Sequence, residues 1–264
     1  MDDMTRRTLV TLAAGALAAP ALAQEGIMVR PSRVRHYVIA AKDLDATCAQ
    51  LYALLDVEPT PKREGPEPTL AFGFRTRMIR VGTTLIEVVS PIREPHQLHS
   101  FFAERGGDGG FMVVMQTYDD DALLARAAAN GHKLAFEIPD FRGQHLMQFD
   151  YKTFGSRFEF YKYTPEDNWW GDPLHGAYHD PKAAEDIVGA EVAVADPAAT
   201  AKTAAATFLG TLDGNSVIFV NDRRIAFVPA GDGPKGLMAL HLKARDRARM
   251  GQTATVANVA FKFV

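Results

Sequence analysis

The feature that most constrains this chain is an internal repeat of a strand, a helix and further strands, first seen at Val34. Val34 to Ala41 alternates as a strand, Asp43-Leu44-Asp45 opens a helix reaching about Leu55, and the Pro, Gly and Glu-rich stretch Glu58 to Pro68 reads as a loop. Strands follow over Leu70 to Val81 and Thr83 to Val89, turned at Gly82 and stopped by Pro91. A second copy starts at Gly110, with a strand over Phe111 to Thr117, a helix over Asp119 to Asn130 and strands near Lys133 to Ile138, Gln144 to Tyr151 and Arg157 to Tyr163. Both copies are read as units of βαβββ type, the first showing two of the three strands that follow the helix. Modules of this size complete one another's sheet and core.

Thr164 to Asp186 is rich in Pro, Gly, Asp and His and reads as a linker or lid. Beyond it a worn third copy shows a strand over Val188 to Ala195, a helix over Pro197 to Leu209, and strands over Ser216 to Val220 and Arg224 to Pro229. Gly236 to His241 echoes Gly110 to Met115, and with the alternating stretch Thr253 to Val264 makes a shortened fourth copy. The expected fold class is α+β. Its parts are a module pair over residues 34–164, a linker over 165–186 and a degenerate pair over 187–264.

The 264 residues carry 29 basic against 32 acidic side chains, a balance that argues against a nucleic-acid binder and favours a small-molecule partner. The start of the chain is read as a removable export signal. Thr5-Arg6-Arg7-Thr8-Leu9 opens an apolar run to Leu22, and Ala21-Leu22-Ala23 offers a cleavage site, which together resemble a twin-arginine signal over residues 1–23 and imply a periplasmic protein. The run is shorter than the roughly 20 residues a membrane span needs and is broken by Gly15 and Pro20, so no span is expected after its removal. Cys48 is the single cysteine, which rules out an internal disulfide; its apolar-periodic neighbourhood places it on the buried side of a helix.

Arg35-His36-Tyr37-Val38-Ile39 with Asp43-Leu44-Asp45, Leu85-Ile86-Glu87-Val88-Val89 and Gly155-Ser156-Arg157-Phe158-Glu159-Phe160 resemble the vicinal oxygen chelate superfamily, the group of glyoxalase I and the bleomycin-binding proteins. The resemblance covers Val34 to about Thr164. It implies paired modules that form a curved mixed sheet, with a divalent zinc, iron, manganese or nickel ion on the concave face. Carried over by position, His36, Glu87 and Glu159 match three of four metal ligands. The usual histidine on the second module's first strand is missing, the candidates there being Phe111, Met112 and Val113, and His145 is a substitute ligand. Strand alternation puts Arg157, Glu159 and Tyr161 on the cleft face and Phe158 and Phe160 toward the helices.

The resulting expectation is a metal-dependent lyase or isomerase acting on a small oxygen-rich molecule, with Glu159 doubling as base and Arg157, Tyr161 and His145 orienting the substrate. The alternative is a metal-free protein that sequesters a small ligand in the same cleft. His36 could equally be a hydrogen-bonded core residue, and Glu87 and Glu159 could be paired with Arg75, Arg77 or Arg157. Trp169-Trp170 is read as a cleft cap or linker seal, His175 and His179 as a weak two-histidine site, and Arg245 to Arg249 as a solvated face. A homodimer is compatible with the modules.

Overall fold

The computed structural model describes residues 30–59, 70, 72–164 and 178–264. The signal, Trp169-Trp170 and His175 lie outside these. The first module contains β1 (Arg33–Ala40), α1 (Leu44–Leu55), β2 (Phe74–Val81) and β3 (Thr84–Pro91), followed by α2 (Gln97–Arg105). The second contains β4 (Gly109–Thr117), α3 (Asp120–Ala129), β5 (Leu134–Phe141), β6 (Gln144–Phe149), α4 (Tyr151–Phe154) and β7 (Arg157–Lys162). Then come β8 (Ala184–Val194), α5 (Pro197–Thr207), β9 (Thr211–Asp213), β10 (Ser216–Ile218) and β11 (Arg224–Pro229), and finally β12 (Gly236–Ala244), β13 (Thr253–Val256) and β14 (Val259–Phe263). Where the other modules have a helix, the last has a single 3-10 turn at Arg247–Arg249.

One local device starts three of the four crossovers. Asp43, Asp119 and Asp196 each sit two or three residues past a strand, and each side chain accepts the backbone N–H three residues on, at 2.8 to 3.0 Å. Such a cap satisfies an otherwise orphaned donor and places negative charge at the helix N-terminus. In α1, Leu44, Cys48, Leu51 and Leu55 fall on one face and pack against the sheet. Burial pushes the Cys48 thiol up to about 11, which leaves it an inert packing group.

The strands join in one curved, unclosed mixed sheet. Within each half two modules meet through their first strands, β1 antiparallel to β4 and β8 antiparallel to β12. The halves meet where β4 and β12 run antiparallel with Leu237 opposite Gly110. The registers His36↔Val114 and Gly189↔His241 make Val114 and His241 counterparts, and by the same offset Gly110 and Leu237. The halves therefore face each other across an approximate twofold axis, as two subunits would in an isologous dimer. A Cβ on Gly110 would lie 2.3 Å from the Leu237 carbonyl oxygen, so this crossing requires glycine.

Two cores result. The larger lies between sheet and helices and runs through both halves; the smaller lies on the concave face of the first half. Phe208, at the end of α5, enters the second module and places its ring 4.4 to 5.2 Å from those of Phe149, Phe154, Phe158 and Phe160. The basic stretch near Arg245 is anchored rather than simply solvated. Arg249 donates to the Leu54 carbonyl at the end of α1, and Arg245 to that of Pro181. Among the described residues no helix is long and apolar enough to cross a membrane.

Candidate functional site

The concave face of the first half holds a cavity of about 400 Å³. It is open on one side, where the hairpin between β5 and β6 brings Phe141 against Phe72 at 5.5 Å between ring centroids. His36, Glu87 and Glu159 all reach it, from β1, β3 and β7. Arg157 and Tyr161 flank Glu159 on the same face, while Phe158 and Phe160 point into the helix-side core, as strand alternation requires.

The polar groups form two hydrogen-bonded sets. In the first, His36 Nε2 lies 3.0 Å from Glu87 Oε2, and Thr76 Oγ1 donates to Glu87 Oε1 at 2.6 Å. The partners of Glu87 are thus a histidine and a threonine, and Arg77 pairs instead with Asp45 at 3.5 Å. In the second, Gln148 Nε2 donates to Glu159 Oε2 at 2.9 Å. Arg157 Nη1 donates to Gln148 Oε1 at 3.3 Å. The Arg157 guanidinium lies between the rings of Phe111 and Tyr151, 5.2 and 5.5 Å from their centroids.

Burial raises the Glu159 carboxyl above the usual carboxylate range, and the negative charge of Glu87 adds to this against the hydrogen bond from Gln148. Burial likewise raises the Tyr161 hydroxyl well above its usual value, with Glu159 contributing, so the phenol keeps its proton and serves as a donor. A carboxyl shifted toward neutrality, beside a phenol and a fixed cation, has the makings of a proton-transfer site.

One expectation needs correction. His145 belongs to the other face of β6: Leu146 and Gln148 face the cavity, whereas His145 bonds to Asp120 and Glu137, both at 2.9 Å. It can ligate nothing held by His36. The missing third position falls on Met112, one of the three candidates: His36 and Met112 each stand seven residues before the aspartate that caps the following helix, and Glu87 and Glu159 each lie two residues past their strand partners, Leu85 and Arg157. Register shifts in the β1–β4 ladder between Val34 and His36 and between Val38 and Ile39 set Val114 opposite His36. Phe111 and Met112 line the cavity, and Val113 packs toward the helices.

The donor chemistry of His36, Glu87 and Glu159 suits a divalent ion, but their arrangement does not. His36 Nε2 is engaged with Glu87, the fourth corner is apolar, and among the described residues no three His, Cys, Asp or Glu side chains are disposed to hold a metal.

In the second half the ladder positions of His36 and Glu87 are taken by Gly189 and Ala226, while those of Val114 and Glu159 are taken by His241 and Lys262. Both bond to Glu191, His241 Nε2 at 2.8 Å and Lys262 Nζ at 2.7 and 2.8 Å. This half is filled by a self-neutralised ion cluster. Sequence reasoning also missed Gln148 and Thr76, because neither amide nor hydroxyl belongs to a metal-ligand vocabulary; the alternation Leu146-Met147-Gln148 was the available signal.

No family model and no curated protein matches the chain. Among solved structures, a hypothetical protein from Staphylococcus aureus is similar over 88% of this chain and 99% of its own, with TM-score 0.64 and 11% identity. Methylmalonyl-CoA epimerase from Mycobacterium tuberculosis is 19% identical with TM-score 0.41, covering 49% of this chain and 87% of its own. A hypothetical protein from Bacillus halodurans is 17% identical with TM-score 0.43, covering 50% and 94%. At these identities the likeness is one of fold: an α+β chain with a curved, unclosed mixed sheet built from repeated strand–helix–strand modules.

Proposed function

We propose that the cavity is the active site of an isomerase or lyase that moves a proton on a small, oxygen-rich, anionic molecule. The observation that carries this reading is Glu159, a carboxyl raised by burial and held by Gln148 in a cavity it shares with Tyr161 and Arg157. Arg157 pairs with the anionic group and sets the substrate's orientation. Glu159 takes the proton from the carbon next to a carbonyl, the carbon–hydrogen electron pair moves onto the carbonyl oxygen, and the Tyr161 hydroxyl donates to that oxygen. Return of the proton completes an isomerisation, and expulsion of a group from the next carbon completes a lyase step. The His36 and Glu87 pair on the facing strands is the second proton carrier. Residues 1–23 make the protein an exported one in this reading, acting in the periplasm.

A ligand-sequestering role is favoured by one feature, the aromatic wall of Phe72, Phe74, Phe111 and Phe141 with the apolar Met112. Proton NMR in heavy water on a panel of small 2-oxo and 1,3-dicarbonyl carboxylates separates the two. Wash-in of deuterium at the activated carbon, lost in Glu159→Gln, is the expected result. Binding of panel members with no exchange, equal in wild type and variant, would establish sequestration and overturn the catalytic reading.

A further inference from the structure

A second cavity of about 450 Å³ adjoins the first, and Arg157, Phe111 and Gln97 line both. Its walls come from α2, α4 and the start of β12, so the second module pair completes it. Its lining is strongly cationic: Arg105, Lys152, Arg157 and Lys235 stand against the single carboxylate of Glu104. Arg105 is fixed by its bonds to the Lys235 and Leu237 carbonyls, at 2.8 and 3.0 Å, and its charge cannot swing away. Lys152 and Lys235 are exposed at the mouth. Ser156, also in the lining, is 3% exposed, and its hydroxyl has no hydrogen-bond partner among the described residues. A buried hydroxyl without a partner among anchored cations is the environment an incoming oxyanion satisfies.

We propose that this cavity is a subsite for the phosphate or carboxylate tail of an extended substrate, with Arg157 at the junction and the reacting end in the cleft beside Glu159. The placement of the reacting end rests on the catalytic reading above; the anion site itself does not. It also gives the worn half of the chain a role, since Lys235 enters the subsite from the loop that leads into β12.

Calorimetric titration of the mature protein with inorganic pyrophosphate, and separately with citrate, at low ionic strength tests this. The expected result is one site per chain, with affinity reduced about tenfold or more by Lys235→Glu and by Lys152→Glu, several-fold by Ser156→Ala, and unchanged by Glu159→Gln. The stronger of the two probes identifies the tail as phosphate or carboxylate. Lys202→Glu, an equal charge change on an exposed position of α5, serves as control. Absence of binding, or an equal loss in the control, would overturn the subsite. Binding as expected without deuterium exchange in the cleft would leave the subsite standing and remove the catalytic reading alone.

Discussion

Replacing Phe208 by alanine removes the ring through which the second half of the chain enters the core of the second module. The side chain is fully buried and meets four aromatic rings at centroid distances of 4.4 to 5.2 Å. Truncation of a buried phenylalanine costs about 3 to 5 kcal/mol, and the aromatic contacts, each about 0.5 to 1.5 kcal/mol beyond area burial, put this site at the upper end. The expected loss is about 4 kcal/mol. With a urea slope of about 3 kcal/mol per molar for a chain of this length, the denaturation midpoint falls by about 1.3 M. Phe208→Leu, which refills most of the space, recovers over half of that. Two of the four rings, Phe158 and Phe160, belong to β7 and alternate with Arg157, Glu159 and Tyr161. Loosening them therefore also impairs the cleft, read as lost deuterium exchange well below the unfolding temperature. A midpoint shift under about 0.3 M in Phe208→Ala would refute the claim that this ring locks the halves together.

Glu159→Gln is expected to stabilise the fold at pH 7 to 8 and to have little effect at pH 4. A carboxyl whose folded-state pKa is raised contributes stability below its unfolded value and loses it as pH rises through the folded value, so removing the charge helps only at the higher pH. Thermal denaturation across that range gives the sign, and a variant less stable than wild type at pH 8 would contradict it. At His145, burial disfavours the charged ring, but the hydrogen bonds to Asp120 and Glu137 outweigh it and raise the pKa. The contribution of His145 is complete below the unfolded value of about 6.5 and fades as pH rises through the folded one, so His145→Gln costs more stability at pH 5.5 than at pH 9. Zinc and manganese titrations are expected to show no tight site in the cleft; one equivalent of bound metal, lost in His36→Ala, would overturn the geometric reading of the trio.

The strand alternation of Arg157 to Tyr161, the helix start at Asp43 and the buried face of α1 were all legible in the sequence, because each depends on neighbours a few residues apart. The helix α2 was not, since Leu98 and Phe102 are its only buried anchors and a histidine, His96, caps it. The side of β6 on which His145 lies was equally hidden. A period of two says which residues share a face, but not which face meets the helices.

The sequence by itself determined the repeat and the α+β class, and its resemblance to a known superfamily singled out His36, Glu87 and Glu159. Only the tertiary structure decided what those residues do to one another. Register shifts in the β1–β4 ladder placed Val114 between His36 and Glu159, Gln148 arrived from a different strand to hold Glu159, and the β4–β12 crossing brought Lys235 to the cleft's side cavity. Each of these contacts joins distant parts of the chain, and a bulge of one residue moves a whole ladder without leaving a mark in local periodicity.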